Sequence, residues 1–165
     1  MRNDTLTARN LALTPELHDY LLDQGRMTPD PLLIELIELT HEAIPEQAHM
    51  TVAPEEGALL TFLVRLLGAR TIVEVGTFTG YSSLCMARGL RAGGSLITCD
   101  VSAEYTDVAR DFWARAQVDD RIELRLGDAL DTLRALPAEP HLDLAFIDAD
   151  KPGYIGYWEE LAPRP

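Results

Sequence analysis

Glu74-Val75-Gly76-Thr77-Phe78-Thr79-Gly80-Tyr81-Ser82 is the stretch on which the fold turns. It opens at the end of Thr71 to Val75, a short run rich in β-branched residues that reads as a strand buried on both faces. Beyond it, Tyr81 to Gly89 has the length of a short helix. Gly76 and Gly80 between them allow a tight turn and let a ligand come close to the backbone. Strand, glycine turn and helix, in that order, make the first half of a βαβ unit.

The alternation continues toward the C-terminus. Ser95 to Cys99 reads as a strand, Ala103 to Gln117 as a helix and Arg121 to Leu126 as a third strand. Leu130 to Leu136 follows as a short helix, His141 to Ile147 as a fourth strand, and a last helix starts near Gly153. Successive βαβ units imply an α/β fold with a doubly wound, mostly parallel sheet. Upstream, Thr14 to Leu22 and Pro31 to Ala43 carry apolar residues at helical spacing, among them Leu32, Leu33, Leu36, Ile37 and Leu39. Residues 1–53 therefore read as an N-terminal helical extension and residues 54–165 as the ligand-binding domain. A helix begins at Pro54, with Glu55 and Glu56 in its first turn and Gly68 just past its end. Leu59, Leu60, Leu63, Leu66 and Leu67 are expected to supply its buried face. An open sheet of this kind normally runs on into further strands, so with Pro165 directly after the last helix the sheet is expected to be incomplete at its C-terminal side.

The chain has 165 residues, 47% hydrophobic and 25% charged, which suits one soluble domain. A net charge of -13 would repel a phosphate backbone or an anionic membrane surface, which argues against nucleic acid and membrane as partners. No run approaches the roughly 18 apolar residues of a membrane span, and Met1-Arg2-Asn3-Asp4 lacks a signal-peptide pattern. The expected location is cytoplasmic. Cys85 and Cys99 have no metal-ligand spacing and read as buried thiols, and the four histidines are scattered.

In a doubly wound sheet the ligand sits beyond the C-terminal strand ends. Four such ends carry polar residues. Glu74 precedes the glycine turn. Asp100, twenty positions after Gly80, is placed to accept hydrogen bonds from both ribose hydroxyls of a nucleoside. In Gly127-Asp128-Ala129, Asp128 can accept from an adenine amino group while the next backbone N–H donates to the ring. Asp148-Ala149-Asp150-Lys151 closes the fourth end. Together they outline an adenosine pocket. A nicotinamide dinucleotide would need G-x-G-x-x-G against its pyrophosphate, whereas this turn holds bulky Phe78 and there is no Lys or Arg from Thr71 to Ala87. The acidic rim disfavours a pyrophosphate and suits the positive sulfonium of S-adenosylmethionine.

Val73 to Met86, Asp100, Gly127-Asp128-Ala129 and Phe146-Ile147-Asp148-Ala149-Asp150-Lys151, with Met50-Thr51-Val52 and Glu56-Gly57 upstream, resemble the metal-dependent small-molecule O-methyltransferases, the group of the caffeoyl-coenzyme A and catechol enzymes. The resemblance implies a Rossmann-like fold and a homodimer. It places Glu74, Gly76, Tyr81 and Ser82 along the methionine part of the cofactor, with Thr51 or Val52 closing over it. Asp100 would hold the ribose, and Asp128 with Ala129 the adenine. Asp148 would bind a divalent cation, usually magnesium, at the edge of the cofactor site, so that the hydroxyls of a catechol-like acceptor ionise near neutral pH. Lys151 would assist as a base of lowered pKa or stabilise the phenolate. The family's Asp-Asn pair of further metal ligands does not occur between Lys151 and Pro165, and truncation is the preferred reason over loss of the metal site. Two other readings stand beside an O-methyltransferase: a cofactor-binding module without turnover, and a nicotinamide oxidoreductase. Asp150 reads as a structural or substrate-rim residue. Tyr154, Tyr157 and Trp158 recur at helical spacing and read as core rather than as an aromatic substrate wall.

Overall fold

The computed structural model describes residues 12–24, 30–139 and 141–164. In chain order the elements are α1 (Pro15–Gln24), α2 (Pro31–Ala43), α3 (Pro54–Leu67), β1 (Thr71–Val75), α4 (Tyr81–Gly89), β2 (Ser95–Asp100), α5 (Ala103–Arg115), β3 (Ile122–Leu126), α6 (Ala129–Arg134), β4 (Leu144–Ile147) and α7 (Tyr154–Leu161). The four strands are parallel in the order β3-β2-β1-β4. Helices cover both faces, as parallel strands require, and β1 and β2 are buried over most of their length.

Strand periodicity divides the core in two. Ile72 and Leu96 face one cluster, which takes in Leu60 and Val64 of α3, Leu84 of α4 and Phe112 of α5. Val73 and Val75 face the other, with Leu133, Leu136, Tyr157 and Leu161. Since side chains alternate along a strand, Glu74 falls on the face of Ile72, beneath α4. Leu33 and Leu36 of α2 join that same cluster. The helix is further tied by ion pairs of Asp30 with Arg88 and Glu35 with Arg115.

Local chemistry sets the helix limits. Asp30 caps α2 by accepting from the amides of Leu32 and Leu33, and Pro31 occupies its first turn. Gly68 ends α3 at φ 62°. α5 stops at Arg115 rather than Gln117, because Gln117 itself adopts a left-handed φ of 57°. β4 starts at Leu144, since the amides of His141 and Leu142 donate to the Arg164 carbonyl instead of a strand. The expected buried face of α3 is corrected. Gly57, Leu60 and Val64 face inward, while Leu59, Leu66 and Leu67 are 50%, 67% and 55% exposed. Contact with α4 explains the choice, because a Cβ on Gly57 would lie 2.6 Å from the Tyr81 ring and 2.9 Å from Cys85 Sγ. Both cysteines are buried free thiols. Burial pushes Cys85 up to about 12 and Cys99 to about 11, so neither is a ready nucleophile. No helix among the described residues is long and apolar enough to cross a membrane.

Candidate functional site

The loops after the four strands meet at one end of the sheet. The Gly76 amide donates to the Cys99 carbonyl at 3.0 Å, that of Gly127 to Asp100 at 2.9 Å, and that of Asp148 to Val75 at 2.9 Å. Glu74, Asp100, Asp128 and Asp148 thus lie at the same sheet end on adjacent chain segments. The turn glycines serve the protein's own packing. A Cβ on Gly76 (φ 102°) would lie 2.3 Å from the Asp148 carbonyl oxygen, and one on Gly80 (φ 84°) 2.6 Å from Ala109 Cβ. The close approach expected of a ligand is made here by the β4 loop and by α5.

Glu74 is fully buried. The Ser82 hydroxyl donates to its Oε1 at 2.5 Å and the Thr98 hydroxyl to its Oε2 at 2.7 Å, and Thr98 Oγ1 lies 2.5 Å from Thr77 Oγ1. Thr98 is the register partner of Glu74 on β2, so the pair is a cross-strand contact on the covered face. Burial pushes the Glu74 carboxyl up to about 7. The two hydroxyls act against that rise, and the nearby Asp100 and Asp148 charges add to it.

Asp100 uses its carboxylate on the backbone. Oδ2 accepts from the amides of Thr77 at 3.0 Å and Phe78 at 2.7 Å, and Oδ1 from Ser102 at 2.9 Å. Of roughly four acceptor sites on a carboxylate, three are taken, which leaves room for one ribose hydroxyl rather than the two expected. Phe78 does not fill the turn. It sits at φ 50°, and its ring packs edge-on against Tyr105, 5.0 Å between centroids. Asp128 is an exposed N-cap whose Oδ1 accepts from the Asp131 amide at 3.1 Å, with Ala129 opening α6 behind it. Tyr81 turns its ring into the core against Gly57, so only its backbone lies at the loop. Val52 packs against the first core cluster. Thr51 has a buried hydroxyl oxygen without a partner.

At the fourth end Asp148 Oδ1 stands 3.4 Å from Lys151 Nζ and 3.4 Å from the Tyr154 hydroxyl, and Lys151 donates to Tyr154 at 2.6 Å. The Tyr154 hydroxyl, followed by Asp148, raises the Lys151 pKa above its usual value. The direction is upward, which favours the second of the two roles expected of Lys151, stabilising a phenolate by charge, over that of a base. Tyr154 packs against the second core cluster and brings its hydroxyl to this group, whereas Trp158, expected in the core, is 65% exposed. Tyr157 is core, as expected, and its hydroxyl donates to Asp150 at 2.6 Å. Asp150 also accepts from the Gly153 amide, which makes it structural. Among the described residues no three His, Cys, Asp or Glu side chains form a metal-binding group. Thr98 and Thr77 are residues of the Glu74 cluster that motif reading passes over, although Thr98 could have been found from its place opposite Glu74 two residues before the strand-end acid. A cleft of about 430 Å³ between α5 and β3, lined by Arg110, Trp113 and Glu123 among others, contains none of the strand-end acids.

Residues 26–163 match a family model described as O-methyltransferase. The chain is 39% identical over 144 residues to "Probable caffeoyl-CoA O-methyltransferase 2" of Dictyostelium discoideum, covering 86% of this chain and 62% of that protein. Against the catechol O-methyltransferase of Mycobacterium tuberculosis it is 36% identical over 139 residues, 84% of this chain and 62% of the other. The chain thus spans just under two thirds of the length of these relatives. A solved O-methyltransferase from Bacillus cereus, in complex with SAH, superposes with a TM-score of 0.81 at 36% identity, covering 91% of this chain and 68% of that one.

Proposed function

From the premise that the chain belongs to the O-methyltransferase family, we propose that it binds S-adenosylmethionine across the ends of β1, β2 and β3 and serves methyl transfer to a hydroxyl oxygen of a small acceptor. The observation that carries this reading is the buried Glu74 carboxyl, held by Ser82 and Thr98 at the end of the central strand. It lies directly behind the glycine turn, where its ionised form would attract a cationic ligand and repel a pyrophosphate. When bound, S-adenosylmethionine supplies an electrophilic methyl group on a sulfonium.

The residues present fit such a ligand. Glu74 and Ser82 would take its methionine end, with the backbone of Gly76 and Tyr81 beside them. The open acceptor site on Asp100 would take one ribose hydroxyl, and Asp128 with Ala129 the adenine. Thr51, with its unpartnered buried oxygen, and Val52 would close the pocket. A divalent cation, magnesium by family resemblance, belongs to the proposal with Asp148 as the ligand this chain contributes. One carboxylate does not make a donor set for it. Lys151, held as an ammonium by Tyr154 and Asp148, would stabilise an ionised acceptor oxygen by its charge rather than take its proton.

Calorimetry with S-adenosylhomocysteine and with NAD tests the binding reading. Binding of the first and not the second is expected, and the reverse would sink it. A methyl-transfer assay with catechol then separates enzyme from module. In a chain that also carries the family's Asp-Asn pair, Asp148→Ala is expected to abolish cation-stimulated turnover while changing S-adenosylhomocysteine affinity less than roughly twofold, because the nucleoside contacts lie on other strands. Binding without any turnover would favour the second reading. The proposed setting is a cytoplasmic homodimer joined through the exposed Leu59, Phe62 and Leu66 of α3. Light scattering should give twice the 18.3 kDa chain mass, and a monomer at micromolar concentration would refute this.

A further inference from the structure

We propose that Thr40, on α2, is a positioning residue for the loop between β1 and α4, holding through Thr79 the conformation in which that loop receives its ligand. The proposal rests on the cofactor reading above for its ligand, and on the following geometry for everything else.

The loop is an uphill piece of backbone. Gly76, Phe78 and Gly80 all have positive φ, and Phe78 pays a steric penalty that glycine would not. Such a conformation persists only where its surroundings over-determine it. Each residue of the turn has an anchor. The amides of Thr77 and Phe78 are held by Asp100, the Thr77 hydroxyl by Thr98, the Phe78 ring by Tyr105, and the Gly80 carbonyl accepts from Ser83 at 3.0 Å. For Thr79 the anchor is Thr40. Both residues are 0% exposed, and their hydroxyl oxygens are hydrogen-bonded at 3.0 Å.

Two features make this contact more than packing. The Thr40 hydroxyl gives its one proton to the Leu36 carbonyl at 2.7 Å, the usual local resource of a helical threonine, so toward Thr79 its oxygen accepts and it does not need Thr79 as an acceptor. Removing it instead leaves the Thr79 hydroxyl without its partner inside the core, and that cost falls on the loop. The other feature is direction. Asp100, Thr98, Tyr105 and Ser83 all belong to β1–α5, whereas Thr40 reaches the loop from α2, some forty residues earlier in the chain. α2 is located independently by Leu33 and Leu36 and by its ion pairs to Arg88 and Arg115. A helix that reads as an appendage is thereby part of the loop's mould.

The test compares Thr40→Val, Thr40→Ala and Thr40→Ser with Leu33→Ala, a cavity variant of the same helix whose side chain has no polar link to the loop. S-adenosylhomocysteine affinity is read by calorimetry and melting temperature in parallel. Hydrogen exchange is read at the Thr77, Phe78 and Gly80 amides against those of β2. Thr40→Val is expected to weaken binding roughly tenfold and to speed exchange at those three amides selectively. Thr40→Ala should do the same if Thr40→Val fails to fold. Thr40→Ser should restore both readings to within roughly twofold of the parent, and Leu33→Ala should lower the melting temperature with neither effect. Unchanged loop exchange in both Thr40→Val and Thr40→Ala overturns the proposal, as does an equal loosening in Leu33→Ala. If the parent chain binds no S-adenosylhomocysteine the cofactor reading fails, and the exchange comparison still decides the role of Thr40.

Discussion

The unfolding free energy of this chain is expected to fall by about 3 kcal/mol between pH 4.5 and pH 7 on account of Glu74 alone. In the unfolded chain the carboxyl ionises near its ordinary 4.5, while in the fold burial holds the proton until about 7. Across that window the native state binds more protons than the unfolded one, so raising the pH favours unfolding. Below the window both states are protonated, and above it both are ionised, so the contribution is flat on either side. Each tenfold change in proton affinity is worth about 1.4 kcal/mol. Denaturant titrations of the parent and of Glu74→Gln isolate the effect, since glutamine keeps the shape and hydrogen-bonding reach without the titration. The difference between the two proteins should carry the slope, and parallel pH profiles would refute it. The same ionisation favours a cationic ligand, so S-adenosylmethionine, with its sulfonium, should bind with release of a proton near pH 7.

Asp100→Ala is expected to weaken S-adenosylhomocysteine binding roughly a hundredfold and to destabilise the fold by roughly 3 kcal/mol. The affinity loss does not come mainly from one ribose contact. Three backbone amides, those of Thr77, Phe78 and Ser102, lose a charged acceptor together, and with it goes the clamp on a turn that contains a non-glycine residue at φ 50°. Asp100→Asn should fall between the two, because one oxygen can still take the Thr77 and Phe78 amides while the new NH2 group faces the Ser102 N–H. Calorimetry and thermal melts check both numbers. A variant that loses affinity while keeping full stability would confine Asp100 to ligand contact.

Hard stops in the sequence carried the element boundaries well. Pro54 and Gly68 delimit α3 as expected, since one residue has its φ preset for a helical first turn and the other readily turns left-handed. The fourth strand starts at Leu144 and not at the expected His141 because the amides of His141 and Leu142 donate to the Arg164 carbonyl, a contact made across more than twenty positions that no local pattern encodes. α3 shows a different limit. It carries leucines around most of its circumference, and the inward stripe is chosen by the absent side chain of Gly57, not by hydrophobicity. At the site, the acids could be located because strand ends are legible. Which lone pairs they have left could not, since Asp100 is consumed by amides whose direction depends on the turn. The place of Lys151 was readable, but its ionisation depends on the Tyr154 hydroxyl, which helical spacing alone would send into the core. Thr40 gave no signal at all, being one more threonine on an amphipathic helix.

The indole of Trp113 gives this chain a built-in optical probe. Its Nε1 points at the Gly80 carbonyl from 3.4 Å and the ring is 2% exposed, whereas Trp158, the other tryptophan, is 65% exposed. Emission should therefore separate into a blue, shielded component and a red, quenchable one. Iodide, itself an anion and slow to approach a protein of this charge, would still reach Trp158 first. Whatever spectral change survives saturating quencher reports on the backbone at the start of α4, so rearrangement of the loop can be followed in a stopped-flow instrument without attaching a label.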